Sequence, residues 1–187
     1  MEIVIPNLYA VQTITSEKAA KGLNTAIEEG RILNVLLQVN TSGEEAKSGL
    51  PPLAASSPAG SRLVELAQYI VTKCDRLRLQ GLMTIGSLAR SLSTSENKDF
   101  ETLTTSRDAL QDLLNASREV MQKSVDDRFK TEGRGGQRVI TWGEDGRLLL
   151  SMGMSSDFET ALKAGSDIIR VGTGIFGERP KKVERVR

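Results

Sequence analysis

Five short apolar runs, each followed by a stretch with helical periodicity, constrain this chain more than any other feature of its sequence. The runs fall at residues 8–13, 32–39, 77–85, 148–152 and 167–171. Residues 32–39 are almost continuously apolar, the pattern of a strand covered on both faces. Between the runs, Thr15 and Ser16 offer an N-cap with Glu17 in the first turn, Ala20, Leu23 and Ile27 recur at helical spacing, and Gly30 can end the helix. Leu63, Leu66, Ala67, Ile70 and Val71 form a second amphipathic stripe. Phe100, Leu103, Leu110, Leu113 and Leu114 predict one long helix from about 99 to 121. Ser156, with Glu159 three residues on, reads as a capping box for a short helix closed by Gly165. Strands alternating with helices predict a parallel sheet with helical crossovers, either doubly wound or a (β/α) barrel. A closed barrel takes eight strands and typically about 250 residues. This chain of 187 residues offers five units.

Composition removes several classes of function. Lys and Arg number 25 against 24 Asp and Glu, a net charge of +1, so no bulk field favours nucleic acid or membrane. Aromatic residues are 4%, too few for a base-stacking platform. There is no histidine, which excludes Ser-His and Cys-His catalysis and the usual zinc sites. The single cysteine, Cys74, cannot form an internal disulfide, and its apolar helical surroundings read as packing in a reducing compartment. No apolar run approaches the roughly 18 residues of a bilayer span. The first residues show no leader pattern, so secretion is not expected. Residues 51–60 and 130–146 read as surface loop insertions, the second with a small hairpin around 139–142. The basic tail, 179–187, reads as a solvated face.

Chemistry concentrates in residues 150–177, LSMGMSSDFETALKAGSDIIRVGTGIFG. A Ser/Gly turn follows one strand and a Gly-Thr-Gly turn follows the next. Loops at the ends of the last strands of a barrel often hold phosphate through backbone N–H groups. Ser155 can offer a hydroxyl and an N–H to an anion, and Gly172, Thr173 and Gly174 let the backbone approach closely. Arg170 ends its strand among apolar neighbours and points into a site. The competing possibility is that the serines only cap a helix and the glycines only turn the chain. A second polar cluster begins where the strand 32–39 ends, with Gln38 and Asn40 on one face and Lys47 further on. Its spacing is equally that of an Asx-type turn with solvated charges. Met83 by itself reads as core.

Taken together, the segments IPNLYAVQTITSEKAA, LLQVNTSGEEAKSGL, GLMTIG, NKDFETL, LSMGMSSDFETALKAGS and IIRVGTGIFG resemble the pyridoxal-phosphate homeostasis protein family, related in fold to the N-terminal barrel of alanine racemase. The resemblance implies an α/β fold, a partial (β/α)8 TIM-type barrel of about five βα units corresponding to strands 4–8, spanning 1–187 as one incomplete domain. It implies pyridoxal 5'-phosphate as cofactor, with Ser155 holding the phosphate, Ser151 assisting, and Gly172 and Thr173 completing the cup. Arg170 would lie near the pyridine nitrogen, and Met83, Asn40, Gln38 and Lys47 would line the mouth. The family's Schiff-base lysine, with the FGEN-type and H-F-I-G-type segments, has no counterpart in this sequence, so the chain is expected to be N-terminally truncated and of poor stability alone.

The function so implied is buffering and delivery of the cofactor in the cell rather than catalysis. Pyridoxal-phosphate-dependent apoenzymes are the expected partners, with no nucleic acid or membrane. The full-length family form is expected to be a monomer, in the cytoplasm or also in mitochondria. The alternatives are a racemase-like pyridoxal-phosphate enzyme and a truncated remnant that binds nothing.

Overall fold

The computed structural model describes residues 7–53, 61–87, 97–134 and 138–178. Met1 and Glu2, most of the 51–60 segment, part of 130–146 and the basic tail lie outside the described residues. In chain order the elements are β1 (Ala10–Ile14), α1 (Glu17–Ala26), β2 (Leu33–Gln38), α2 (Arg62–Lys73), β3 (Leu77–Met83), α3 (Lys98–Ala116), α4 (Arg118–Thr131), β4 (Leu149–Met154), α5 (Phe158–Lys163), β5 (Ile168–Arg170) and α6 (Thr173–Phe176).

The strands form one five-stranded sheet in the order β1-β2-β3-β4-β5, and every neighbouring pair is parallel. With helices crossing between successive strands, this is an open half-barrel, the partial (β/α) barrel that the resemblance implied. Register divides the side chains between two sides. Leu37, Leu82 and Leu150 are in register, as are Gln38, Met83 and Ser151. The first row belongs to the main hydrophobic cluster, with Val35, Leu79 and Met152. Helical residues Ala20, Leu23, Ala67, Ile70, Leu103 and Leu110 close over it. Leu36, Met83 and Leu149 are buried but stand outside that cluster, on the side that carries Gln38 and Ser151. Each large apolar side chain buried under the helices contributes on the order of 1.5–3 kcal/mol, so the helix-covered side holds the sheet together. The other side is left free for polar groups.

Both sheet edges are less covered than the centre. All six residues of β2 are buried, whereas β5 is half-buried throughout. Ile175 and Phe176, just beyond β5, are largely exposed. An open groove runs along β1 and α1, lined by Val11, Thr13, Ile14, Ala19 and Leu23.

Three local expectations change. The long helix is two helices, because Ser117 leaves helical geometry (φ −95°, ψ 0°) while its N–H still donates to the Leu113 carbonyl. The second helix runs to Thr131, into the segment read as an insertion. That segment is not only surface: Ile140 and Trp142 are each 1% exposed, and the Arg118 guanidinium lies 4.0 Å above the Trp142 ring. The hairpin is not at 139–142; a lone antiparallel bridge instead pairs Glu144 with Arg147. Cys74 packs as expected, 1% exposed, its thiol pushed up to about 11 chiefly by burial.

At the end of the sheet where β3 begins, Asp75 gathers three arginines. Its carboxylate accepts from Arg128 at 2.5 Å, Arg134 at 2.6 Å and Arg138 at 2.9 Å, which ties α4 and the following segment to β3. Burial alone raises the Asp75 carboxyl, but the hydrogen bond and charge of Arg128, with Arg138 and Arg134, outweigh it and hold it below the ordinary value of 3.8. A depressed folded pKa contributes stability that is fully present above the unfolded value of about 3.9 and is lost as pH falls through the folded one. Asp75→Asn is therefore expected to lower the urea-unfolding free energy at pH 7 by roughly 1–3 kcal/mol. The gap between variant and wild type should shrink below pH 4; an equal gap at pH 7 and pH 3 would contradict this account.

Candidate functional site: the C-terminal ends of the strands

The residues singled out in 150–177 meet at the C-terminal ends of β4 and β5. β4 must pass close to α5 before its turn, and Gly153 permits this. It has φ +92°, and a Cβ there would stand 2.5 Å from the Ala161 Cβ and 3.2 Å from the Phe158 Cα. The turn that follows is pinned by Asp157, whose Oδ1 accepts the Met154 N–H at 2.7 Å. Asp157, not Ser156, is the N-cap residue of α5, and it makes no side-chain cap bond, so the expected capping box does not form. The carboxylate is committed backwards, to the β4 turn.

That turn delivers Ser155 to the loop after β5. The Ser155 Oγ accepts the Gly172 N–H at 3.1 Å and the Gly174 N–H at 3.3 Å. Two backbone donors thus converge on one hydroxyl oxygen, and the same three groups are the kind that can engage an anion in its place. Thr173 lies between the two donors and opens α6. Gly172 has φ −110°, which any residue adopts, and a Cβ on it would meet nothing within 4 Å. The chain's own packing therefore does not require glycine at that position, whereas a ligand approaching the backbone would.

Beside the cup, Arg170 reaches across the free side of the sheet. Its Nη1 donates to the Ser151 Oγ at 2.7 Å and its Nη2 to the Thr84 carbonyl at 2.7 Å. The Ser151 hydroxyl donates in turn to the Gln12 Oε1 at 2.6 Å. Burial lowers the Arg170 pKa and the charge of Asp157 partly restores it, but a guanidinium stays charged at neutral pH. Thr84 is fixed by its Oγ1, 2.8 Å from the Thr41 Oγ1 and accepting from the Gly86 N–H. Met83, 3% exposed and in register with Ser151, supplies apolar floor next to these groups.

The loop after β2 forms the rim. Gln38 is buried and donates to the Ser48 carbonyl at 2.6 Å. Asn40 is turned into its own loop: its Oδ1 accepts from Ser42 and Gly43, and its Nδ2 donates to the Glu44 and Lys47 carbonyls. That is the Asx-type arrangement its spacing allowed. Lys47 donates to the Gly86 carbonyl at 2.5 Å and to Glu44 at 2.8 Å, and this contact lowers the Glu44 pKa. The structure so brings Ser151, Arg170 and Met83 together, and Ser155 with Gly172 and Thr173. Two participants went unmarked in the sequence, Gln12 and Thr84. Gln12 stood inside the first apolar run without a local signal, while Thr84 lay beside Met83 in GLMTIG.

Comparison with known proteins places this architecture. The family model for the alanine racemase N-terminal domain matches residues 2–126. The chain belongs to that family. It is 40% identical over 177 residues to the pyridoxal phosphate homeostasis protein of Schizosaccharomyces pombe, covering 94% of this chain and 58% of that protein. It is 34% identical over 180 residues to the human protein of the same name, covering 95% of this chain and 53% of the relative. The chain thus spans a little over half the length of these relatives. Among solved structures, an unknown protein from Bifidobacterium adolescentis superposes with a TM-score of 0.58 at 32% identity, over 92% of this chain and 55% of that one. PipY of Synechococcus elongatus, at 23% identity and a TM-score of 0.56 over 90% of this chain and 61% of its own, shares the fold.

Two glycines of the site should respond oppositely. Gly153→Ala forces α5 away from β4 and is expected to cost roughly 1–3 kcal/mol. Gly172→Ala should change stability by no more than about 0.5 kcal/mol. Urea denaturation of both variants checks this; a large loss for Gly172→Ala would mean that the chain itself needs glycine there.

Proposed function

We propose that this chain binds pyridoxal 5'-phosphate at the C-terminal ends of β4 and β5 and takes part in intracellular supply of that cofactor. The observation that carries the proposal is the Ser155 hydroxyl meeting the Gly172 and Gly174 amides beside a half-buried, doubly anchored Arg170. The names of the relatives support the same ligand. The residues present fit it. Ser155, Gly172, Thr173 and Gly174 would hold the phosphate through a hydroxyl and backbone N–H groups. Arg170, kept in place by Ser151 and the Thr84 carbonyl, would lie at the ring nitrogen, with Met83 against the ring. Asn40 and the Lys47–Glu44 pair would stand at the mouth, shaping access.

Bound pyridoxal phosphate supplies an aldehyde and an electron-withdrawing ring. A permanent cation at the ring nitrogen opposes protonation there and so weakens the ring as an electron sink. That suits storage and delivery to apoenzymes better than carbanion chemistry. The tyrosines also favour a carrier over a racemase-like catalyst: the Tyr9 hydroxyl is engaged by Gln80 at 3.2 Å, and Tyr69 packs against the helix-covered core. No helix among the described residues is long and apolar enough to cross a membrane. The cytoplasm, with mitochondria as a second compartment, is the location that fits the proposal.

The test is a fluorescence titration of the purified 187-residue protein with pyridoxal phosphate and with pyridoxal. Ser155→Ala is expected to weaken pyridoxal phosphate by about tenfold or more, the effect of losing a hydrogen bond to a charged group. It should leave pyridoxal, which has no phosphate, nearly unchanged. Equal weakening of both ligands, or saturable binding that Ser155→Ala does not alter, would overturn the assignment.

A further inference from the structure

We propose that Gln12 is a positioning residue for the cofactor site, acting through Ser151 to fix the guanidinium of Arg170. The proposal rests on the reading of this face as a pyridoxal-phosphate site and names what sets its ring end. Gln12 lies on β1, Ser151 on β4 and Arg170 on β5, so β1 and β5, the two edges of the sheet, are joined by side chains across its free side. The contacts are short and run one way: Arg170 donates to the Ser151 Oγ at 2.7 Å, and the Ser151 hydroxyl donates to the Gln12 Oε1 at 2.6 Å.

A serine hydroxyl has one proton and rotates freely. By accepting that proton, Gln12 decides which way it points and leaves the oxygen's lone pairs facing Arg170. Ser151 is 0% exposed, so no bulk water replaces Gln12 as acceptor without reorganisation. If the Gln12 acceptor is lost, the Ser151 proton has no fixed direction, and the Nη1 contact of Arg170 loses its alignment. The Nη2 contact to the Thr84 carbonyl remains. Arg170 should then stay near its place but lose its fixed orientation. An effect of this kind belongs to the ring end of the ligand and not to the phosphate end, where Ser155, Gly172 and Gly174 make their own contacts.

The experiment compares Gln12→Leu, Gln12→Glu and wild type by titration with pyridoxal phosphate, pyridoxal and inorganic phosphate, with thermal melts alongside. Gln12→Leu should weaken pyridoxal phosphate and pyridoxal alike, each by about fivefold to tenfold. It should leave inorganic phosphate unchanged. Gln12→Glu keeps an acceptor at the same reach and should restore both affinities to within about twofold of wild type. In an Arg170→Leu background the Gln12→Leu change should add nothing further. If Gln12→Leu lowers affinity for all three ligands in step with its melting temperature, or if Gln12→Glu binds no better than Gln12→Leu, Gln12 is only part of the fold and the inference is overturned. Should Gln12→Leu not fold, Gln12→Met, which keeps the side chain's length without the amide acceptor, takes its place in every comparison. Failure of the wild-type chain to bind pyridoxal phosphate overturns the functional reading itself; a Gln12→Leu protein that binds normally while Ser155→Ala does not overturns this inference alone.

Discussion

Arg170 carries a permanent positive charge into a half-buried place, and the polar side of the sheet is arranged around it. A guanidinium taken from water needs its donors matched, and the matches come from two other strand ends, the Ser151 hydroxyl on β4 and the Thr84 carbonyl just past β3. Ser151 is then completed by Gln12 on β1. This explains why a sheet whose helix-covered side is almost wholly aliphatic keeps Gln12, Gln38, Ser151 and Arg170 on the other. The aliphatic side holds the strands in parallel register. The register sets Gln38, Met83 and Ser151 level with one another.

The Ser155–Gly172–Gly174 cluster depends on a different constraint, the close approach of β4 to α5. Gly153 alone lets the strand pass the Ala161 side chain, and the turn beyond it is held by Asp157. Only then does Ser155 reach the amides of Gly172 and Gly174. Ser155 follows β4 and Arg170 ends β5, so neighbouring strands present the Ser155–Gly172–Gly174 cluster and the Arg170 guanidinium side by side. A ligand with a phosphate at one end and an aromatic nitrogen at the other matches that pairing.

Much of the fold was legible because its signals are local. The continuous apolar run at 32–39 became β2, Leu33–Gln38, and the run at 167–171 became β5, Ile168–Arg170. The break at Ser117 was not legible, because Leu110, Leu114, Met121 and Val125 are all buried and keep an apolar stripe running on both sides of it. The burial of Trp142 inside a Gly-rich stretch was equally hidden, since its support comes from Arg118 and the core and not from its neighbours in sequence. In the site, the segment 150–177 announced Ser155, Arg170, Gly172 and Thr173 through their turns. Gln12 gave no such sign: its partner Ser151 is 139 residues away, and only the closing of the sheet brings them together. Asn40 was legible in its local role: its spacing allowed an Asx-type turn, and its side chain makes one within its own loop.

On the proposed reading, the ends of β4 and β5 form a ready-made site for a phosphorylated pyridine. The most direct measurement is a two-dimensional amide NMR titration of the 15N-labelled protein with pyridoxal phosphate. The amides of Ser155, Gly172, Thr173 and Gly174 should move first and saturate together with the Arg170 side-chain signal, while amides around Asp75 at the opposite end of the sheet stay still. Saturating shifts confined to any other surface, or none at all from a folded protein, would contradict it.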